Sequence, residues 1–583
     1  MDTALTASAR HLPLLNDIPL ASAERVGFRF GWFWLARAAG LAWLVYLVAL
    51  PIGYMLVDAF TNDDGALTVA NFAEFIANPK LQAATFNSLL VGASVAVLSV
   101  AIGAPLAFGV ARTDMWAKGL VQATMIISLV SPDFLLAIAY VGLAGPNAGY
   151  INTALRHLIG IEGEGPINIY SLWGLIFTAL PHGVSFVFLA LVPALRNLDP
   201  ALDEAARVQG ASVGRTVFHI TLPLMRPALM SGALLAFAGS LATYGPAQVL
   251  GLNVLTISIR EALLRLDFKA ASAASVVLVA MSLVALALYR RSTRQAERFR
   301  TMGGKSFADR SLDVGAGATA LTAFGLAYCL LFLVVPYGTL FAVSLMRTVG
   351  DGFSADNWTL ANYAAVFANP AVRSAAWLSL TLAAGSATLV VAMGFLIAYL
   401  LVRSRARERA LLDYLSVLPL AVPGTALALA LVVVYLNPPF NALGFYGSFG
   451  ILFVAYLTRY VTFGVRLNQS TLLQLPPELE EASRISGAGP LKTVAVVTAP
   501  LMRHALLYAW ILVFILAVPE LSASIILKGL DTQTLSTVLL DIWAGNGGPV
   551  TASALGITIF AGVTVLLVTA SLIGRRVGLS FAG

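Results

Sequence analysis

A succession of long apolar runs constrains this chain more than any other feature of its sequence. There are about a dozen runs, and each has roughly the 20 residues that a helix needs to cross the hydrocarbon core of a bilayer. Only 11% of the 583 residues are charged, whereas soluble globular domains carry about 25%. Because backbone polar groups in lipid need partners within the protein, runs of this length form helices. The sequence therefore predicts an all-α polytopic membrane protein.

The distribution of basic residues predicts how the spans are oriented. We expect about 12 transmembrane helices, at residues 35–59, 86–111, 119–143, 171–195, 228–250, 270–289, 318–346, 377–402, 412–436, 448–468, 504–526 and 550–574. If both termini are cytoplasmic, that side holds 27 Lys and Arg residues, counting Arg37 and Arg466 at the cytoplasmic ends of their spans, and the opposite loops hold 8. Such an excess is typical of cytoplasmic loops. We therefore expect both termini to be cytoplasmic.

Two long segments of the chain occur twice. VANFAEFIANP at 69–79 matches LANYAAVFANP at 360–370 with an offset of 291. LDEAARVQGASVGRTVFHITLPLMRPAL at 202–229 matches LEEASRISGAGPLKTVAVVTAPLMRHAL at 479–506 with an offset of 277. The difference between the offsets places 14 extra residues in the first half, and we expect them in the outer loop around 145–171.

The repeat predicts how the chain is organised. Each half has six spans of the same polarity, which is a parallel repeat about an axis along the membrane normal. We expect a cytoplasmic N-terminal tail at 1–34, a first six-span repeat at 35–289, a basic cytoplasmic linker at 290–316 and a second six-span repeat at 317–583. The tail lacks the continuous apolar core of a secretory signal, so we expect it to be retained.

The longer repeated segment predicts a short helix in the loop between spans four and five of each half. Pro200 and Pro477 suit a first helical turn, and Gly210 and Gly487 suit the left-handed conformation that ends a helix. Acidic residues lie near the positive end of the predicted helix dipole: Asp203 and Glu204 in the first copy, and Glu478, Glu480 and Glu481 in the second. We expect each helix to lie parallel to the membrane, exposed on the basic side, where it could dock a partner.

These two loops resemble the cytoplasmic coupling loop of permease subunits of binding-protein-dependent ATP-binding-cassette (ABC) importers. The shared pattern is Glu-Ala-Ala, then a glycine, then a proline that precedes the return to the bilayer. It is carried by Glu204, Ala205, Ala206, Gly210 and Pro223 in the first copy and by Glu481, Ala482, Ser483, Gly487 and Pro500 in the second. Ser483 departs from the pattern, which has alanine there. The resemblance implies that each loop helix docks on a separate ATPase subunit.

The resemblance covers nearly the whole chain and is closest to the fused twelve-span permeases of the ferric-iron type, a group with thiamine and phosphonate relatives. It is carried by GPNAG (145–149), INIYS (167–171), TYGPAQVLGLNVLTISI (243–259) and ELSAS (520–524). The family often has an acidic residue before the Tyr/Phe-Gly pair, where this chain has Thr243. The resemblance implies import of ferric iron, bare or chelated, by alternating access. Thiamine, an organophosphonate or a polyamine remain alternative substrates.

The sequence indicates that the chain is not an enzyme by itself. Gly304-Lys305-Ser306 looks like the end of a phosphate-binding loop, but Phe299 stands where that loop needs glycine. The five histidines show no metal-ligand spacing or catalytic triad, and the scattered basic residues argue against nucleic-acid binding. We expect no cofactor in this chain. The resemblance implies two ATPase subunits that carry ATP and Mg, a periplasmic solute-binding protein, and a place in a bacterial inner membrane.

Polar residues inside the predicted spans are candidates for a translocation pathway. Charged groups at membrane depth are costly, so they face a cavity or a partner. The candidates are Asp133, His182, Tyr244, Pro246, Arg459 and Glu520. His182 and Arg459 occupy equivalent positions of the repeat, and Tyr244 and Pro246 lie near an expected break in span five. The alternative interpretation is a structural ion pair, for example between Arg459 and Glu520.

An ion-coupled secondary transporter is the second class of function compatible with these spans. Such transporters can also consist of parallel six-span repeats. They need no ATPase and would carry coupling carboxylates near the midplane of the bilayer. The duplicated loop that resembles an ATPase-docking element favours the ABC importer instead.

Overall fold

The chain is helical throughout the part that its structure describes. The computed structural model describes residues 32–298, 312, 314–404, 408–545 and 547–576. Apart from three isolated β-bridges, these residues form helices and their connecting loops, so the predicted all-α class is confirmed. Residues 1–31 of the predicted tail and Gly304-Lys305-Ser306 of the linker lie outside the described residues.

The helices follow one another in the same order in the two halves. Within residues 32–298 they are α1 (Trp32–Leu44), α2 (Leu50–Ala59), α3 (Ala70–Ala77), α4 (Pro79–Arg112), α5 (Lys118–Val130), α6 (Asp133–Ala144), α7 (Tyr150–Ile159), α8 (Leu172–Arg196), α9 (Pro200–Val208), α10 (Val213–Thr216), α11 (Leu222–Leu241), α12 (Gly245–Val249), α13 (Leu255–Leu264) and α14 (Phe268–Arg298). Within residues 314–576 they are α15 (Ala316–Cys329), α16 (Val335–Ser344), α17 (Ala361–Ala368), α18 (Pro370–Arg403), α19 (Arg409–Ala421), α20 (Gly424–Leu436), α21 (Phe449–Leu472), α22 (Glu478–Ile485), α23 (Pro490–Thr493), α24 (Ala499–Ala517), α25 (Ser524–Leu527), α26 (Leu535–Ala544) and α27 (Gly548–Arg576). Helix α7 has no α-helical counterpart in the described second half, and it lies in the loop where the offsets place the extra residues.

Spans three and nine are each divided into two helices, where we predicted one helix over 119–143 and one over 412–436. The described residues contain 10 helices long and apolar enough to cross a membrane, or up to 12 if each of two bent pairs counts as one span. The bent pairs are α5 with α6, at 105°, and α19 with α20, at 113°. Pro132 and Pro423 cause the bends, because proline disfavours helical backbone at the residue before it. The next helix begins directly after each proline.

The predicted bounds of spans five and eleven were also wrong. The continuous helices run over Val213–Leu241 and Pro490–Ala517, not over 228–250 and 504–526. Each contains a five-residue π-helical turn just before its proline, at Val217–Thr221 and Val494–Thr498. The wider turn admits Pro223 or Pro500, which cannot donate a backbone hydrogen bond, without ending the helix. Beyond the last turn, the chain breaks before the short helices α12 and α25, which confirms the expected break in span five.

The two halves exchange their first spans. Helix α1 of the first half packs on α18 and α19 of the second half, and α2 packs on α20. In return, α15 packs on α4 and α5, and α16 packs on α6. Polar contacts reinforce the exchange: Arg37 pairs with Glu408, and the Tyr46 and Tyr435 hydroxyls share a hydrogen bond. The halves are therefore interlocked, and neither forms its core from its own residues alone.

Small residues allow the central helices of each half to cross closely. Helices α18 and α21 meet at two glycines, where a Cβ atom on Gly394 would lie 2.5 Å from the backbone of Gly464. At the equivalent crossing of α4 and α8, a Cβ atom on Gly103 would lie 3.1 Å from the Val187 side chain. Without a hydrophobic drive between helices in lipid, close packing of small residues is what holds such pairs together.

The crossing in the second half predicts a steric effect. We expect Gly464→Val to lower the apparent unfolding temperature of the purified protein in detergent, because a Cβ atom there would lie 2.4 Å from the Val390 carbonyl oxygen. Overpacking of this kind typically costs about 1–3 kcal/mol. The matched control is Gly562→Val in α27, where a Cβ atom meets nothing within 4 Å. Equal shifts for the two variants would contradict the close crossing.

Candidate functional site

The two repeated loops each contain a short helix that ends as predicted. Helix α9 spans Pro200–Val208 and α22 spans Glu478–Ile485. Gly210 and Gly487 have φ angles of +76° and +85°, in the left-handed region. The next amide bonds back five residues, from Ala211 to Ala206 at 2.9 Å and from Ala488 to Ser483 at 3.1 Å. This 6→1 bond closes a helix end on a left-handed glycine.

Both helices expose matching side chains. Val208 and Ile485, at equivalent positions of the repeat, are 89% and 88% exposed. The predicted coupling residues divide by exposure: Glu204, Ala205, Gly210, Glu481, Ala482, Gly487 and Pro500 are exposed, Pro223 and Ser483 are half-buried, and Ala206 is buried. Leu202 and Leu479, also at equivalent positions, are exposed as well, so the two helices present the same pair of apolar side chains.

The acidic residues of these helices have a second role that the sequence did not reveal. Asp203 was predicted to lie at the positive end of the helix dipole, yet its side chain is buried in an ion pair with Arg112, the last residue of α4. The Arg112 guanidinium also donates to the Leu198 carbonyl oxygen at 3.1 Å. The pair therefore joins α9 to the ends of two membrane-spanning helices.

Glu480 makes the equivalent ion pair in the second half. Its Oε1 lies 3.3 Å from Nε of Arg403, the last residue of α18. The Tyr399 hydroxyl donates to Glu480 Oε2 at 3.0 Å, and the Thr498 hydroxyl donates to Oε1 at 3.1 Å. Arg484, one turn further along α22, also reaches Oε2, at 3.2 Å. A carboxylate with this many donors is fixed in position even though it is buried.

Ser483, which departs from the family pattern, makes a local contact. Its hydroxyl shares a hydrogen bond of 3.2 Å with the Thr493 hydroxyl in α23. At the equivalent position of the first half, the alanine Ala206 is simply buried. The serine thus preserves packing between the exposed helix and the following span and adds one polar link.

In the centre of the bundle, Glu520 forms the ion pair that we considered as the structural alternative. Its Oε1 lies 3.7 Å from Nε of Arg459 in α21. The same carboxylate accepts hydrogen bonds from the amides of Ala523 and Ser524, at 2.9 and 3.1 Å, and from the Ser524 hydroxyl at 2.7 Å. Glu520 therefore caps the start of α25, where the break after span eleven leaves amides without helical partners.

Asp133 and His182, which belong to the first half, lie beside the Arg459–Glu520 pair of the second half. Asp133, the first residue of α6, interacts electrostatically with His182 of α8 and with Arg459 of the second half. All three side chains stay partly accessible although they lie within spans. A polar, accessible surface at this depth is suited to a translocation pathway. The candidates Asp133, His182, Arg459 and Glu520 are thus brought together, and their role in transport stays a prediction.

The breaks in four spans converge on the same region. A Cβ atom on Gly245, at the start of α12, would lie 2.8 Å from Cβ of Phe134 and 3.1 Å from the Leu521 side chain. On the other side, a Cβ atom on Gly424 would lie 2.7 Å from the Arg459 guanidinium. Irregular backbone at membrane depth is tolerated only where protein or a cavity surrounds it. The contact of Gly245 with Leu521 joins the two halves.

Tyr244 and Pro246 are placed differently from the charged candidates. Both are fully buried, and the Tyr244 hydroxyl donates to Gln248 Oε1 at 3.0 Å within the break. They lie in the turn into α12, and their place in a translocation pathway stays a prediction. The residues described contain no group of three or more His, Cys, Asp or Glu side chains that could hold a metal ion.

An acidic cavity of about 630 Å³ opens at the end of the bundle opposite α9 and α22. It lies between α2, α3, the start of α14 and the end of α20, so both halves contribute to it. Its acidic lining residues are Asp58, Asp63, Glu74 and Asp267. Asp58 is paired with Lys269 at 2.9 Å and accepts from the Ser272 hydroxyl at 2.6 Å.

Comparison with known proteins agrees with this arrangement. Residues 99–298 match the family model described as the inner membrane component of binding-protein-dependent transport systems. That stretch contains α9, its ion pair with α4, and Asp133 and His182. Over this stretch the chain therefore carries the permease domain of binding-protein-dependent ABC importers.

Relatives of the permease extend the match over both halves. The ferric transport system permease protein FbpB of Actinobacillus pleuropneumoniae is 27% identical over 464 residues, which cover 78% of this chain and 66% of that relative. The putative ferric transport system permease protein FbpB 1 of Haemophilus influenzae is 28% identical, covering 77% of this chain and 70% of its own length. The Fe(3+)-transport system permease protein FbpB 2 of Haemophilus influenzae is 22% identical over 92% of this chain and 97% of its own length.

The central ion pair of the permease predicts a stability effect. We expect Glu520→Ala to lower the apparent unfolding temperature in detergent, because it removes the carboxylate that pairs with Arg459 and caps α25. Breaking a fully buried pair typically costs about 3–5 kcal/mol, and the Arg459 side chain, 30% exposed, places this pair toward the lower end of that range. The control is Asp541→Ala, which removes a half-exposed carboxylate 2.6 Å from Lys528 and should cost about 0–1 kcal/mol. If Glu520→Ala unfolds no earlier than the control, the structural role of the pair is wrong.

Proposed function

We propose that this permease imports ferric iron, bare or chelated, as the membrane subunit of an ATP-driven importer. The observation that carries the proposal is its alignment with permeases named for ferric iron over most of its length, up to 92% of this chain. We place it in a bacterial inner membrane with both termini in the cytoplasm. Selection of the substrate falls to a periplasmic solute-binding protein, as the binding-protein dependence of the family supports.

Two separate ATPase subunits, which carry ATP and Mg²⁺, dock on α9 and α22. The support is the surface of these helices: each exposes two large apolar side chains at matching positions, Leu202 and Val208 on α9 and Leu479 and Ile485 on α22. An apolar side chain left in water gains free energy when a partner covers it, at about 25 cal/mol per Å². The two helices would give each ATPase subunit an equivalent anchor, so that closure of the ATPase pair moves both halves together.

Alternating access in this arrangement would act at the converging breaks. The bent pairs α5–α6 and α19–α20 and the ends of α11 and α24 meet around Asp133, His182, Arg459 and Glu520. Loaded binding protein docks at the end that holds the acidic cavity, and ATP binding closes the ATPase subunits. The spans then reorient around the central polar residues, and the substrate passes between the halves to the cytoplasm.

The docking surface predicts the effect of a charge on it. We expect Val208→Glu combined with Ile485→Glu to reduce copurification of the ATPase subunits at least about tenfold, the effect of losing an interface anchor. Insertion and folding should be unchanged, because both side chains already face away from the protein. Leu530→Glu, at a residue 97% exposed near the opposite end, is the control. Full ATPase recovery with the double variant would contradict docking on α9 and α22.

The test of the whole proposal is reconstitution with the copurifying cytoplasmic subunits in lipid vesicles. We expect ATP hydrolysis to be stimulated by a binding protein loaded with ferric iron, and iron to accumulate inside vesicles of the matching orientation. The controls are the same binding protein without iron and binding proteins loaded with thiamine, an organophosphonate or a polyamine. Stimulation by one of these in place of iron would overturn the substrate. Transport by the chain alone, driven by an ion gradient, would overturn the ATP-driven class.

A further inference from the structure

Each half of the permease fastens its exposed helix to the bundle through one buried ion pair. Arg112 with Asp203 and Arg403 with Glu480 occupy equivalent positions of the repeat. All four side chains are at most 14% exposed. A buried pair costs desolvation and is weak evidence of a stabilising role. Its presence in both halves therefore calls for another explanation.

The arginines lie where three elements meet. Arg112 and Arg403 are the last residues of α4 and α18, the longest of the helices described. Each also donates to carbonyl oxygens that follow the neighbouring span, at Leu198 in the first half and at Leu475, 2.7 Å away, in the second. Each guanidinium thus connects three elements: the end of α4 or α18, the end of α8 or α21, and the helix α9 or α22.

The turn after each exposed helix is the other connection to the bundle. Helix α9 is followed by the left-handed Gly210, and α22 by the left-handed Gly487. In the second half, hydrogen bonds from Ser483 to Thr493 and from Thr498 to Glu480 add polar links between α22 and span eleven. The ion pair instead acts on the ends of α4 and α18, which pack extensively on α8 and α21.

We propose that Asp203 and Glu480, held by Arg112 and Arg403, are positioning residues that transmit movement of the exposed helices to the long helices of each half. The inference rests on the proposed function of α9 and α22 as ATPase-docking helices. Charge-assisted, multiply bonded contacts are stronger and more specific in geometry than apolar ones, so a displacement of α9 or α22 would act on the arginine that its carboxylate binds. The docking surface around Val208 and Ile485 is separate from it.

The two halves supply the substitutions that separate a charge role from a packing role. The first half uses Asp and the second uses Glu for the same pair, so Glu480→Asp keeps the charge and the chemistry that Asp203 already provides. Glu480→Gln keeps the size and removes the charge. A packing role makes the shorter Asp the more harmful change, whereas transmission through the ion pair makes Gln the more harmful one.

The experiment measures substrate transported per ATP hydrolysed by the complete importer in vesicles. We expect Glu480→Gln to retain its ATPase subunits and its ATP hydrolysis but to lose at least about fivefold in this ratio, at the lower end of usual coupling between sites. Glu480→Asp should stay close to the unmodified importer. The control is Asp413→Asn, which removes the carboxylate of a half-exposed pair with Arg466 at 2.8 Å. Asp203→Asn and Asp203→Glu repeat the comparison in the first half, and they decide the matter if the Glu480 variants do not insert.

The outcomes separate this inference from the proposed function. If the unmodified chain binds no ATPase subunit, the proposed function fails and the ion pairs have nothing to transmit. If the ATPase subunits bind and Glu480→Gln transports as much per ATP as the unmodified importer, the inference is overturned and the proposed function stands. If Glu480→Asp is the more damaging variant, packing explains the pair and the inference is likewise overturned.

Discussion

A backbone amide or carbonyl that loses its helical partner inside a bilayer finds no water to replace it, and the centre of this permease depends on how that need is met. The breaks after α11 and α24 free several such groups. Glu520 accepts from two amides at the start of α25, and the Tyr460 hydroxyl donates to the Leu516 carbonyl oxygen at 2.8 Å. In the first half, the Thr256 hydroxyl donates to the Thr243 carbonyl oxygen at 2.8 Å. In each half, side chains of that half therefore take over hydrogen bonds that the break leaves open.

The two halves meet this need with different residues at equivalent positions. Thr243 of the first half corresponds to Glu520 of the second, and Asp133 corresponds to Gly424. The acid thus comes from the bend of span three in one half and from the break of span eleven in the other. At the position equivalent in the two repeats, both halves have a basic residue, His182 in the first and Arg459 in the second. The result is a charged cluster that no symmetric pair of halves would form, lying across their interface.

Buried ion pairs also occur at the basic end of the bundle, where the two halves are nearly symmetric. Both exposed helices are held by a buried arginine–carboxylate pair, and both turn away from it at a left-handed glycine. Under the proposed function this difference has a reason. The centre would pass one substrate between unlike halves, whereas the basic end would present two like helices to two ATPase subunits.

The sequence by itself determined the all-α class, the two repeats, the short helices ending at Gly210 and Gly487, and the break near Tyr244, because hydrophobic run length, internal similarity, proline and glycine act locally. It did not determine the bends at Pro132 and Pro423 or the bounds of spans five and eleven, since apolar runs look alike whether a helix is straight, bent or widened by a π turn. Only the tertiary structure decided that Glu520 meets Arg459 and that Asp203 and Glu480 turn inward to arginines 91 and 77 residues away. Which of several carboxylates is buried depends on long-range packing, which no local pattern encodes.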